Sequence, residues 1–346
     1  MTEKKYTIKD IAKLAGVSKG TVDRVLHKRG RVSKEARDKV NQVIVEIDYQ
    51  PNLIARNLKK NKVYRIYALI PDAKYDHYWL PTIKGIDEAL KEFKPFGLVL
   101  EKFYFNPKDC NSFQKQTEQA LSLKPDAILM APVFHKESLD LFKLCKEHSI
   151  VVASFNNHID KLGLENFIGQ DLNQSGRVAA GLIDKITKKN CNIGILHINE
   201  ESHMKHKEIG FRAYFKEKHK KPKEIVTFSL TNSEDLNFQD NISQFMSDND
   251  GISAVFVTNS KAYLIANLLK NENKKIVIVG YDLLNENIEL LKNGDIEFLI
   301  HQRPYRQAYV GVSYLAENLL FGKKIPSQNL LPIDIITAEN VKYYEN

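Results

Sequence analysis

Cysteine is scarce in this sequence: Cys110, Cys145 and Cys191 stand far apart, with no CxxC pair and no spacing that suits a metal. That excludes a disulfide-built or zinc-built scaffold and reads as reduced, cytosolic thiols. Long apolar runs are missing as well. No stretch approaches the roughly twenty residues that cross a bilayer, and the polar opening residues lack the apolar core of a signal peptide, so neither a membrane protein nor an exported one is expected. No glycine-rich loop follows the first apolar run and no Ser/His/Asp set stands out, which argues against phosphate-loop and nucleophilic enzymes. The histidines His197, His203 and His206 lie six and three residues apart without an accompanying carboxylate or cysteine ligand, so neither a metal nor a cofactor is expected there. His135 and His158 carry still less.

What is present is unevenly placed. The 346 residues are enough for two or three domains with real cores. Residues 1–62 hold 16 Lys+Arg against 7 Asp+Glu, while the rest of the chain holds 35 against 36, so the whole positive excess of +8 sits at the amino end. Nucleic-acid affinity comes from Lys and Arg displacing counterions from phosphates, and this asymmetry implies double-stranded DNA as a partner of the amino end alone. A solvated basic tail is the plainer alternative, but such a tail would not also carry helix caps and a helical core.

Both are there. Thr7 precedes Asp10 by three residues, the spacing of a capping box, and Ile8, Ile11, Ala12 and Ala15 then share one helical face. Gly16 breaks the run for a tight turn, Val17 can plug the core, and Ser18 can cap a second helix bearing Thr21, Val22, Val25 and Leu26. Ser33 can cap a third, with Ala36, Val40, Val43, Ile44 and Ile47 facing inward; Tyr49-Gln50-Pro51 stops it. Asn52 can cap a short basic helix, Leu53 to Lys60, which exposes Arg56 and is marginal alone. This order is that of a helix-turn-helix domain with the second helix as reader.

After Lys59–Lys62 the pattern changes to short apolar runs between amphipathic helices: Tyr64–Pro71, Leu98–Phe105, Ala127–Val133, Ile150–Phe155, Asn192–Ile198, Ile225–Leu230, Ala254–Val257, Ile276–Tyr281 and Phe298–His301. Continuous apolar strands alternating with helices predict parallel sheets buried on both faces, and this many strands predict two doubly wound α/β subdomains. Ligands of such sheets bind beyond the carboxyl ends of strands. There the sequence places Asp72, Tyr78, Trp79, Asn157, Lys207, Asn259, Asp282 and Gln302, the amides, carboxylates and aromatics that grip a sugar.

Three stretches of the head, IKDIAKLAGVSKGTVDRVL (8–26), RVSKEAR (31–37) and YQPNLIARNL (49–58), resemble the headpiece of the LacI/GalR family of bacterial transcription regulators. The body resembles the periplasmic-binding-protein-like effector domain of the same family through WLPTIKGIDEAL (79–90), FIGQDLNQSGRVAAGLI (167–183), KHKEIGF (205–211), VFVTNS (255–260), the VIVGYD region (276–282) and IITAENV (335–341). The resemblance implies a cytoplasmic homodimeric repressor, not an enzyme, that binds an operator and senses a monosaccharide-like effector in a cleft; a purine or sugar-phosphate sensor is the alternative, and a sugar-binding protein or enzyme on the same fold the remoter one. It implies a helix-turn-helix domain over 1–51, a hinge over 52–63 and an effector domain over 64–346. That domain divides into an N-subdomain of about 64–160 and 303–330 and a C-subdomain of about 161–302 and 331–346. The chain is expected to cross between them near 157–167, 299–304 and 330–334.

Residue by residue, the resemblance puts Lys19, Gly20 and Arg24 at base edges, with Gly20 contributing no side chain, so that readout leans on Lys19 and Arg24. Thr7, Ser18, Thr21, Arg31, Ser33 and Arg37 face phosphates, Asn52 and Arg56 belong to the hinge, and Leu58 takes the place of the leucine that wedges into the minor groove. Asp23 departs from the small hydroxyl residue usual there; it orders Arg24 or accepts from a cytosine. Tyr78 and Trp79 match an aromatic pair that sandwiches a sugar, although Trp79 could instead pack under the first helix of the body. Lys207 replaces the usual arginine, a point charge for a bidentate fork. Asn259, Asp282 and Gln302 match polar ligand contacts, with helix capping by Asp282 and loop duty for the two amides as the alternatives.

Overall fold

A computed structural model describes residues 6–27, 29–47, 49, 62–157, 166–188, 191–199, 202–219, 224–230, 236–271 and 275–345. The chain divides into two compact units, residues 1–59 and 60–346.

In the first unit, α1 (Ile8–Leu14), α2 (Lys19–Leu26) and α3 (Lys34–Glu46) start where the caps predict. The Thr7 amide donates to the Asp10 carboxylate at 2.8 Å and the Asp10 amide donates back to Thr7 Oγ1. Ser18 and Ser33 accept from the Thr21 and Ala36 amides. Each such cap satisfies an otherwise orphaned helix N–H and stabilises by about 1 kcal/mol. Gly16 takes φ +63°, the left-handed turn between α1 and α2. Ile11, Ala12, Ala15, Val22, Val40 and Val43 form the core, with Tyr49 packed against it rather than merely ending α3. Ala36 is half-buried outside that cluster.

The second unit begins with β1 (Tyr64–Pro71), α4 (Leu80–Phe93), β2 (Leu98–Phe105), α5 (Cys110–Ser122), β3 (Ala127–Met130), α6 (His135–Glu147), β4 (Val151–Phe155) and β5 (Phe167–Gly169). It continues with α7 (Leu172–Ile186), β6 (Asn192–Ile198), α8 (Ser202–Lys218), β7 (Ile225–Leu230), α9 (Phe238–Asp248), β8 (Ile252–Val257), α10 (Ala262–Asn271), β9 (Val277–Tyr281), α11 (Asn285–Asn293) and β10 (Phe298–His301). Last come α12 (Pro304–Phe321), β11 (Gln328–Leu330) and β12 (Asp334–Ile336). The strands build two six-stranded sheets, β11-β5-β4-β3-β1-β2 and β12-β10-β9-β8-β6-β7. All described pairings are parallel except β10 with β12.

Burial explains why β1 reads as an unbroken apolar run. Ile66, Ala68 and Ile70 meet α4 and α12 on one face, while Tyr67 and Leu69 meet α5 and α6 on the other. At the sheet edge β2 needs no such continuity, and it alternates buried and exposed residues, with Val99 and Tyr104 turned to solvent. The third run stops at Met130 rather than Val133, where Pro132 lies between Ala131 and Val133 and the Val133 amide turns back onto the Ala131 carbonyl.

One crossing of the chain is misplaced by the sequence reading. Phe167–Gly169 pairs with β4 and β11 in the first sheet, so the chain leaves that subdomain at Gln170–Asp171, not before Phe167, and a C-subdomain starting near 161 is corrected accordingly. The other two crossings fall at Gln302–Arg303 and 331–333, between sheets as expected. Hinge residues Asn52, Arg56 and Leu58 lie outside the described residues, as does His158. Among the described residues no helix is long and apolar enough to cross a membrane.

Candidate functional site

On the head, Lys19, Gly20 and Arg24 are exposed along α2, with Thr21 half-buried; Thr7, Ser18, Arg31, Ser33 and Arg37 are exposed around it. Arg24 folds back on its own helix, its Nε donating to the Gly20 carbonyl at 3.1 Å. Asp23 lies 3.5 Å from His27 one turn on, so it does not order Arg24; i,i+4 geometry favours the histidine over an immediate neighbour. This face presents Lys and Arg donors to solvent, the arrangement a phosphate backbone requires.

In the body, the loops after β1 and β4 build one wall of a cleft. Asp76 caps the turn His77–Trp79 by accepting the Tyr78 amide at 2.9 Å, which places Tyr78 so that its hydroxyl donates to Asn156 Oδ1 at 2.6 Å. Asn156, at φ +70°, donates in turn to Asn157 Oδ1 at 3.4 Å. Trp79 stands edge-on to Tyr78 and Phe155 and shows only 6% of its surface; here it packs in the core.

The facing wall comes from the ends of β8 and β9, from α8 and from the second crossing. Lys207 is fully buried, its Nζ donating to the Thr258 carbonyl at 2.9 Å and lying 3.6 Å from the centre of the Tyr281 ring. It can sit there because α7 and α8 cross closely: a Cβ on Gly176 would fall 1.8 Å from the Lys207 carbonyl oxygen, and one on Gly210 would fall 1.9 Å from that of Asn173. Burial pushes the Tyr281 hydroxyl upward in pKa. Burial also pushes the Asp282 carboxyl up to about 6; the Lys207 charge and the Gln302 donors pull the other way, and the Asp76 charge adds to the rise. Gln302 gives Asp282 its amide at 3.1 Å and its side-chain Nε2 at 2.6 Å.

Not every expected residue joins. Asp72 turns onto Lys74, whose amide lies 3.1 Å away and whose Nζ lies 3.0 Å away; burial pushes its carboxyl up, but these lysine contacts hold it below its ordinary value. Asn259 donates to the Ile198 carbonyl and accepts from the Lys261 amide, which is loop duty. Tyr78, Trp79 and Asn157 gather on the first wall, and Lys207, Asp282 and Gln302 on the second.

Several residues escape a sequence reading. Asp76 and Lys261 form an ion pair at 3.5 Å between the walls. Asn287 donates to the carbonyls of Ser260, Tyr281 and Asp282, tying the loops after β8 and β9. His197 hydrogen-bonds Thr258 Oγ1 at 2.8 Å and the Glu208 carboxylate at 2.7 Å. Bonding to His197, with Thr227 and Arg212 helping and burial opposing, draws the Glu208 carboxyl down to about 2. At the crossings, Gln170 Nε2 donates to the carbonyls of His301 and Pro332, at 3.0 and 2.7 Å, and the Arg303 guanidinium grips Asp334 with two nitrogens. One side-chain amide therefore ties the first crossing to the chain at the other two. Asp76 and Lys261 stand two positions from Tyr78 and Asn259, a cue the sequence offers; Asn287 and Gln170 offer none. Among the described residues no group of three or more His, Cys, Asp or Glu could hold a metal ion. A cavity of about 450 Å³ against α12 is lined by Arg303 and Pro332 of the crossings but by none of the expected ligand contacts.

Comparison with known proteins matches residues 7–52 to the bacterial regulatory proteins of the lacI family and residues 67–324 to the periplasmic binding protein domain. The ribose operon repressor of Halalkalibacterium halodurans is 53% identical over 179 residues, 47% of this chain and 51% of that one. The ribose operon repressor of Lactococcus lactis is 28% identical over 80% of both chains. The NTD biosynthesis operon regulator of Bacillus subtilis is 29% identical over 59% of this chain; the match spans 54% of that regulator's length. A crystal structure from Bacteroides fragilis, assigned as a LacI transcriptional regulator, superposes with TM-score 0.76 at 28% identity, covering 82% of this chain and all of the other.

Proposed function

This chain belongs to the lacI family of bacterial regulatory proteins, and from that premise we propose that it is a cytoplasmic repressor which binds an operator in double-stranded DNA as a homodimer and releases it when a neutral monosaccharide fills the cleft. The observation that carries this reading is the matched charge of the cleft. Lys261 faces Asp76, and Lys207 is engaged by the Thr258 carbonyl, the Tyr281 ring and the charge of Asp282. A phosphate or carboxylate ligand calls for an uncommitted cation. A neutral polyol calls instead for amide and carboxylate partners beside an aromatic. Asn157, Asp282, Gln302 and Lys207 are assigned the hydroxyl contacts and Tyr78 the apolar ring face, with Trp79 backing Tyr78 from the core. Asp72 and Asn259 leave the contact set, because Asp72 closes its own turn onto Lys74 and Asn259 is taken up by the Ile198 carbonyl and the Lys261 amide. Two relatives named for a ribose operon make a pentose the first candidate.

On DNA, Lys19 and Arg24 read base edges, while Thr7, Ser18, Thr21, Arg31, Ser33 and Arg37 hold phosphates; Asn52, Arg56 and Leu58 act at the hinge. The effector works by preferring one closure angle of the two subdomains, an angle that sets hinge spacing in the dimer. A thermal-shift screen tests the ligand class, since a molecule that binds only the folded chain raises its melting point. Neutral pentoses or hexoses are expected to raise it; a rise with sugar phosphates, sugar acids or purines alone overturns the neutral assignment. For DNA, Arg24→Ala is expected to weaken binding by about 1–3 kcal/mol and relax selectivity at one base pair in a gel-shift titration, and unchanged selectivity removes Arg24 from readout.

A further inference from the structure

The walls of the cleft meet in a contact whose matched charge supports the ligand reading but whose mechanical role that reading leaves open. Lys261 Nζ lies 3.5 Å from Asp76 Oδ2, with the two side chains only 12% and 24% exposed. Both charges stand on braced turns. Asp76 uses its other oxygen to accept the Tyr78 amide, and the Lys261 amide donates to Asn259 Oδ1 at 3.2 Å while Asn259 itself holds the Ile198 carbonyl. Those turns follow β1 and β8, strands of different sheets, so the pair bridges the two subdomains.

We propose that Asp76 and Lys261 are the latch of the cleft, an ionic contact that holds the two subdomains together when no effector is bound. The contact joins two of this chain's own side chains; its consequence rests on the sugar-sensing reading. An ion pair at this depth is weakened by salt but not abolished, because partial burial limits screening. An effector enters only when the walls part, so the latch slows entry, and re-forming over a bound molecule it slows exit. Breaking it accelerates both steps more than it changes affinity.

Opening is read directly as a distance in the full chain without DNA or effector, so the result does not depend on whether the ligand is a sugar. Spin labels go on Lys84→Cys of α4 and Glu286→Cys of α11, both exposed, in a Cys110→Ser background; Cys145 and Cys191 are buried. Dilution with unlabelled chain removes distances between protomers. Asp76→Asn keeps an oxygen for the Tyr78 amide, and Lys261→Met keeps the length of the side chain, so each removes charge with little change of shape. Loss of roughly 1 kcal/mol of ionic contact raises the long-distance population about fivefold in either variant. Added salt raises it by a smaller factor in the wild type and little in the variants, and the double variant is no more open than a single one. Unchanged distances in both single variants, a salt response that survives them, or additive effects in the double variant overturn the latch.

Discussion

The two units solve the placement of polar groups in opposite ways. In the head the organising hydrogen bonds join residues three or four apart: Thr7 with Asp10, Ser18 with Thr21, Ser33 with Ala36, and Arg24 with Gly20. Its charged side chains are left at the surface for another molecule. In the body the bonds that shape the cleft join residues 78, 51 and 20 apart, as in Tyr78 with Asn156, Lys207 with Thr258 and Asp282 with Gln302, and their charges are buried and matched. A surface that waits for a phosphate backbone can be assembled locally. A site that encloses a neutral molecule has to satisfy its own polar groups first, because an unmatched charge in a dry cleft costs several kcal/mol.

The same substitution in the two units gives the sharpest contrast. Gly210→Ala puts a methyl group 1.9 Å from the Asn173 carbonyl oxygen, and only separation of α7 and α8 relieves it. We expect a loss of about 3 kcal/mol in denaturant unfolding of the body, together with displacement of Lys207; a loss below 1 kcal/mol would mean that the helices part freely. Next in size is Glu208→Gln, which removes the charge-assisted bonds to His197 and Arg212 at a cost of about 2 kcal/mol at neutral pH. The Glu208 carboxyl is drawn from an ordinary 4.5 to about 2, so its stabilisation is complete above pH 4.5 and fades as pH falls toward 2. The gap between wild type and Glu208→Gln is therefore widest near neutrality and closes on acidification; a pH-independent gap in unfolding free energy contradicts this. Smallest is Gly20→Ala. Its new methyl group meets nothing nearer than 3.7 Å, and removing a helical glycine raises the stability of the head by about 0.5–1 kcal/mol, so a drop in stability would show that α2 is held differently.

This contrast also explains what could be read from the chain. The caps, the turn at Gly16 and the inward face of α2 follow from spacing alone, and strands buried on both faces, such as β1 and β6, announce themselves as apolar runs. β5, β11 and β12 have three residues each, too few for any period to register, and missing β5 shifted the first crossing. The strand-end rule found Tyr78, Lys207, Asp282 and Gln302 because position along a strand is a local property. It could not separate them from Asp72, whose side chain turns back to its own loop, or from Asn259, which the Ile198 carbonyl takes up, nor supply Asn287 or the ion pair, whose partners arrive from elsewhere in the fold.

The account rests on one chain carrying both an outward, salt-sensitive DNA face and an enclosed neutral site that controls it. The most direct measurement is a binding titration of the full chain against a duplex selected from a random pool, repeated over salt concentration and with each neutral sugar that raises the melting point. The predicted result is an affinity that falls steeply with salt and drops at least about tenfold when the sugar is present, a coupling of about 1.4 kcal/mol. A sugar that stabilises the chain yet leaves DNA affinity unchanged, or DNA binding indifferent to salt, would contradict it.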